Sequence, residues 1–164
     1  VPPQLMENLN IIRKLTSSTT FSVLLSIYRL FMYKTTGLVG FPIGIMVDNR
    51  DQHSKNVVGC FVNTCVLRTP LDPSSSFIDF AHGIQKSLVE LRRHSTDPFD
   101  DVVDAIGSDE DNASPIFNIL FVNDNISVPN SSTGMKMNNP TSTKAKYEQT
   151  WYIVNEDGKL SIKV

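Results

Sequence analysis

Between Thr20 and Lys34 the chain reads TFSVLLSIYRLFMYK, which on a helix is apolar on nearly every side. A helix of that kind belongs in the middle of a packed structure. It cannot cross a bilayer, because its most apolar window, Phe21 to Met32, falls well short of the roughly 20 residues a crossing needs and contains Ser22, Ser26 and Arg29. The segment therefore demands cover from the rest of a layered domain. The chain can provide it: 164 residues at 40% hydrophobic are enough for one core, and a formal net charge of −2 excludes a self-repelling disordered chain. The same near-neutral balance argues against nucleic acid as a partner, which would want a basic face.

Around this helix the pattern alternates. Residues 4 to 15 predict an amphipathic helix with Leu5, Leu9, Ile12 and Leu15 as its stripe, following Pro2 and Pro3. Thr20 is a suitable N-cap for the apolar helix and Gly37 a suitable stop. From Val39 to Val47 the text turns to a β pattern, then to the polar loop DNRDQHSKN. Val57 to Leu67 reads as one long strand with apolar residues on both faces, which implies a central, covered place in a sheet. Ser76 with Asp79 forms a capping box for a third helix buried through Phe77, Phe80, Ile84, Leu88 and Leu91. Asp97 as cap and Pro98 at the first position start a short fourth helix to Ile106. Ile116 to Val122 is a further strand, residues 124 to 143 a long flexible loop rich in Asn, Ser and Thr, and Tyr147 to Val164 a terminal hairpin. The order of elements indicates an α/β domain, a mixed sheet packed against helices. Its last strand stops without a capping element and reads as cut, so the final elements are expected to be missing.

Chemistry is sparse. Cys60 and Cys65 sit five residues apart in one strand pattern and point to opposite faces, so they cannot bridge; buried or half-buried free thiols fit a reducing cytoplasm. The run from Asp97 to Asp111 holds seven carboxylates without calcium-loop spacing and reads as a solvated acidic helix. The three histidines, His53, His82 and His94, lie in no metal or nucleophile motif, and surface or capping roles suit them better than a catalytic base. Gly37, Gly40 and Gly44 form no phosphate-binding fingerprint. No metal ligand set and no self-contained active site emerge. One polar pair stands out: Asn63-Thr64 interrupts the apolar strand that runs on to Arg68. An amide there either bonds neighbouring backbone or lines a cleft.

That strand is also where a resemblance begins. GCFVNTCVLR, with Gly59 and Arg68, resembles the G-x-F-V-N-T-x-x-x-R motif of condensation domains from nonribosomal peptide synthetases. GFPIGIMVDNR is similar to the strand and loop that precede it in that family, with Gly40, Pro42 and a shifted Arg50. His94 to Asp100, HSTDPFD, resembles the family's H-Q-D-x-P-F-E motif through His94, Pro98 and Phe99. Pro115 within SPIF resembles the end of the R-D-x-S-R-N-P-L motif, its Arg-Asp pair aligning with Asp109 and Glu110. TTFSVLLSIYRLFMYKTTG is also similar to the family's long buried helix, and with the four motifs in the family's order the resemblance covers roughly residues 1 to 155.

The resemblance implies one lobe of a chloramphenicol-acetyltransferase-like two-lobe fold, residues 1–164 forming the C-terminal lobe. The family's catalytic H-H-x-x-x-D-G motif belongs to the first lobe and is absent from this chain. The resemblance implies that the second His of that motif orients or deprotonates the acceptor amine as it attacks a carrier-bound thioester. What this chain would supply is the cleft floor, at Phe61, Val62, Asn63 and Thr64, and half of the tunnel walls. No cofactor is expected on the chain itself; substrates would arrive on phosphopantetheine arms. The implied partners are the N-terminal lobe, acyl or peptidyl carrier proteins and neighbouring synthetase domains, with no membrane. The alternative is a non-catalytic docking or scaffold lobe, for which Arg92-Arg93 and Lys136 to Lys146 are the basic candidates.

Overall fold

The computed structural model describes residues 1–54, 56–106, 116–124, 146–156 and 159–164. Helices α1 (Pro3–Thr16) and α2 (Thr20–Thr36) lead into strands β1 (Ile43–Asp48) and β2 (Val62–Leu67). Helices α3 (Phe77–Arg93) and α4 (Phe99–Ile106) follow, then β3 (Ile119–Asp124), β4 (Gln149–Glu156) and β5 (Lys159–Lys163). The five strands form one mixed sheet in the order β2-β1-β3-β4-β5. β1 and β2 pair antiparallel, β1, β3 and β4 run parallel, and β5 returns antiparallel on β4.

Alternation along the strands divides the sheet into two apolar faces. Ile43, Ile45 and Val47 of β1, Phe121 of β3 and Ile153 of β4 meet Leu9, Val23, Leu25, Phe80 and Ile84 of the first three helices. Tyr28, Phe121 and Trp151 stack within this layer, with Phe121 and Trp151 at 5.9 Å and nearly parallel. The other face carries a smaller cluster of Phe117, Leu120 and Val122, against which Phe99, Val66 and Tyr147 pack. No helix among the described residues is long and apolar enough to cross a membrane.

Helix ends follow the chemistry of their sequences, with corrections. The N-cap of α2 is Thr19, not Thr20: its hydroxyl accepts from the Ser22 N–H. Gly37 ends α2 at φ +74°, a left-handed position that favours glycine. Ser76 caps α3 by accepting from the Asp79 N–H, and its hydroxyl donates to the Asp79 carboxylate. In α1 the buried line is Leu9 with half-buried Met6 and Ile12, whereas Leu5 and Leu15 remain exposed. On α2 the inner side is fully covered, but Ile27 and Phe31 face outward and stay exposed.

β2 is shorter and placed differently from the strand expected over Val57 to Leu67. It starts at Val62 and lies at one edge of the sheet, not in its middle. Its apolar residues occupy both faces because α3 covers one and the Phe117 cluster the other. Val57 and Val58 belong to a loop and are exposed. The terminal hairpin is present as β4 and β5. The expected loop over 124–143, apart from Asp124, lies outside the described residues, as does Pro115.

Arg29 of α2 is 1% exposed, and burial lowers its pKa to about 10. Its guanidinium donates to the carbonyls of Phe41 and Thr69 and lies 4.9 Å over the Phe41 ring. These carbonyls flank the start of β1 and the end of β2. One cation thus ties the apolar helix to the ends of both strands without a carboxylate among its partners.

Two glycines offer opposite tests. A Cβ at Gly44 of β1 would lie 2.2 Å from the buried Phe117 ring, whereas at Gly83 of α3 it would meet nothing within 4 Å. Gly44→Ala is expected to cost about 1–3 kcal/mol by overpacking. Gly83→Ala should instead stabilise by about 0.5–1 kcal/mol through helix propensity. Urea unfolding midpoints measure both, and partial recovery of Gly44→Ala by adding Phe117→Leu would identify the ring as the obstacle.

Candidate functional site

The residues singled out by sequence converge on the edge of the sheet at β2, where the chain crosses from one face to the other. α3 lies on the first face and α4 starts on the second, so residues 94–99 must pass around that edge. Asn63 holds the passage. Its Nδ2 donates to Ser95 O at 2.8 Å and to Asp97 O at 2.6 Å. Its Oδ1 accepts from Phe99 N at 3.3 Å and Thr64 N at 2.9 Å. Both amide donors and the carbonyl oxygen are therefore used on backbone groups.

Asn49, just beyond β1, adds a second tie. Its Nδ2 donates to Ser95 O at 2.6 Å, and Ser95 Oγ donates back to Asn49 Oδ1 at 2.6 Å. Ser95 is 2% exposed, so these bonds are screened from water. Asp97 does not act as the expected cap of α4 in this arrangement. Its carbonyl receives Asn63, and the Phe99 N–H at the helix start is met by Asn63 Oδ1. Pro98 stands just ahead of α4, and Phe99 packs on Phe117 with centroids 5.7 Å apart.

Arg50 organises the neighbouring loop. Its guanidinium donates to the carbonyls of Ser54 at 2.6 Å, Val57 at 2.8 Å and Gly59 at 3.1 Å, and lies 4.3 Å over the Phe61 ring. A Cβ on Gly59 would stand 3.2 Å from that ring, so the small residue permits the stack. Gly40 lies beside Pro70 and half-buried Pro42 just precedes β1. Of the expected floor residues, Phe61, Asn63 and Thr64 are half-buried and Val62 is exposed. Val62 and Thr64 point to the sheet face away from the first three helices, opposite Asn63.

Other expected residues stay apart from this cluster. Arg68 is exposed beyond the far end of β2. His94 Nε2 sits 3.2 Å from Glu90 Oε1, and Arg93 also reaches Glu90. His82 Nδ1 lies 3.1 Å from the carbonyl that ends α1, that of Thr16. Among the described residues no group of His, Cys, Asp or Glu is placed to hold a metal ion. Both cysteines are free; Cys60 is exposed, not buried, while Cys65 is half-buried and burial, with the nearby Asp97 charge, pushes its thiol up.

Sequence reasoning did not single out Asn49 and Ser95, and only their spacing from the flanking motifs could have drawn attention to them. It also missed Arg13, which with Arg92 lines a cavity of about 670 Å³ on the helix face of the sheet. None of Phe61 to Thr64 lines that cavity.

Comparison with known proteins gives a consistent relationship. A family model described as Condensation domain matches residues 1–164. Gramicidin S synthase 2 of Brevibacillus brevis is 30% identical over 121 residues, 73% of this chain and 3% of the relative. Tyrocidine synthase 3 of Brevibacillus parabrevis is 24% identical over 98% of this chain, again 3% of its own length. The chain thus spans about 3% of the curated relatives it first matches. In structure, the condensation domain from the Monacolin K polyketide synthase MokA superposes with a TM-score of 0.80 at 20% identity. That match covers 99% of this chain and 39% of the other.

Two measurements examine the site as built. Asn63→Ala leaves Asp97 O and the Phe99 N–H without their side-chain partner, while Ser95 O keeps Asn49 Nδ2, at a cost of about 1–3 kcal/mol. Hydrogen exchange should accelerate first at the Phe99 amide, whereas a cost spread evenly over the sheet would contradict the local role. Alkylation by iodoacetamide followed by peptide mass mapping should label Cys60 well before Cys65, since exposure favours the first and burial holds the second protonated.

Proposed function

The chain belongs to the condensation-domain family, and on that premise we propose that residues 1–164 form the C-terminal lobe of such a domain in a nonribosomal peptide synthetase. The observation that carries this reading is the unequal coverage of the structural match. Nearly all of this chain corresponds to well under half of a condensation domain. The lobe would close one side of a cleft in which an amine acceptor attacks the thioester carbonyl of a carrier-bound acyl or peptidyl group. The new amide carbon–nitrogen bond forms as the carbon–sulfur bond breaks, and the proton lost by the amine is accepted within the first lobe or by the departing thiolate.

This chain has no adjacent histidines and so lacks the H-H-x-x-x-D-G signature that the resemblance assigns to the first lobe. Its share is geometric. Asn63 and Arg50 hold the segments around Phe61 to Thr64 in one shape, and a fixed floor favours reaction by keeping two tethered substrates in register. The substrates would come on phosphopantetheine arms of carrier proteins, in the cytoplasm, with neighbouring synthetase domains on the same polypeptide.

Two results test the reading. The coding sequence upstream of Val1 should encode a first lobe carrying H-H-x-x-x-D-G; its absence from the natural gene overturns the assignment. The isolated 164-residue chain should give no amide product from carrier-loaded donor and acceptor, and detectable turnover would equally overturn it.

A further inference from the structure

The cavity that Arg13 and Arg92 share is separate from the motif cluster and uses none of its floor residues. It is an open groove of about 670 Å³ on the helix face, at the carboxyl ends of the parallel strands. One wall is α3, which contributes Gln85, Leu88, Val89, Leu91 and Arg92. The spacing of Gln85, Leu88, Val89 and Arg92, at 0, 3, 4 and 7, is the seam one helix presents to another. The opposite wall is the turn from α1 into α2, with Arg13 at its rim, and the floor includes Val47 and Ile153. Gln85 fixes the distance between the walls: its Oε1 accepts from Thr19 N at 3.0 Å and from Ser22 Oγ at 2.7 Å. The groove is therefore preformed.

Its charge is uneven. Among the described residues, Arg13 and Arg92 line it against a single acid, Asp48, whose carboxylate receives the Arg50 N–H. Arg93, the neighbour of Arg92 and the other half of the basic pair noted in the sequence, is turned to Glu90. Among the described residues no ion pair engages Arg92, and Arg13 donates only to the neutral Asn10. Leu88 is half-buried and Val89 exposed, so the apolar part of the seam is also uncovered. The chain's own segment 125–145 is a poor occupant, since it carries Lys136 and Lys144 and no acidic residue.

We propose that this groove is a docking site for an amphipathic helix of a partner, apolar along one face and acidic beside it. The acidic residues would meet Arg13 and Arg92 while the apolar face covers Leu88, Val89 and the strand ends. The groove's geometry and charge carry this, and it holds whether or not the transferase reading does.

The test uses the full 164-residue chain and two peptides of about 18 residues, five turns of helix. Both carry leucines at i, i+3, i+4 and i+7; one is flanked by glutamates, the other by lysines at the same positions. Anisotropy titration should show saturable binding of the glutamate peptide only, with amide shift changes confined to α3 and the α1–α2 turn. Arg13→Glu with Arg92→Glu should weaken it at least about fivefold, the effect of two exposed charge pairs, and should transfer preference to the lysine peptide. Circular dichroism checks that the variant remains folded, and the switched preference itself requires a folded groove. Equal binding of both peptides, no saturable binding, or shift changes centred elsewhere, including on the Phe61 to Thr64 segment, would overturn the proposal.

Discussion

The architecture turns on how the chain gets around the edge of its sheet. α3 and α4 lie on opposite faces, and the six residues from His94 to Phe99 must carry the backbone between them past β2. Such a passage exposes carbonyls and amides that no strand partner can satisfy. Asn63 meets three of them at once, and Asn49 with Ser95 meets the same carbonyl from the other side. The covered edge has a second consequence. An edge strand with apolar residues on both faces invites pairing with another chain, and here the 94–99 segment blocks part of that edge.

Arginine serves the fold in a related way. Arg29 and Arg50 both direct the guanidinium fork at backbone carbonyls and both stack on a phenylalanine ring. Neither depends on a carboxylate. A planar group with five donors can serve several carbonyls from one position, which a lysine ammonium cannot match in the same fixed plane. The burial of Arg29 lowers its pKa only to about 10, so it remains charged at neutral pH. Its position inside an apolar helix is explained by the two loop carbonyls it satisfies.

The elements were legible where local chemistry decides them. The apolar stretch, Gly37, Ser76 with Asp79 and the terminal hairpin all express rules that act within a few residues, and each appears in the structure. The misreadings arose from contacts distant in sequence. Val57 to Leu67 looks central because both faces are apolar, yet the same pattern suits an edge strand sandwiched between α3 and the Phe117 cluster. Asp97 has the composition of a helix cap, but the amide of Asn63, 36 residues before Phe99, reaches the helix start instead. Leu5 and Leu15 share the helical stripe with Leu9 and nonetheless stand at the ends of α1 without cover. The groove was least legible of all. Arg13 and Arg92 are 79 positions apart, and nothing in either neighbourhood brings them to one cavity.

The distribution of roles also bears on what the family motifs mean in this chain. Asn63 uses its whole amide on backbone, Arg50 serves three carbonyls and a ring, Gly59 makes room for that ring, and Phe99 fills the second apolar face. The residues that make the chain recognisable are thus largely occupied in holding it together. His94 is the exception among the polar motif residues with a partner, and that partner, Glu90, is an exposed side chain on its own helix. A motif built of fasteners preserves the shape of a surface while leaving the surface residues, here Val62 and Thr64, open to vary. It follows that the motifs mark the chain through its architecture, and that differences between members of the family at this surface should be sought in the side chains between the fasteners.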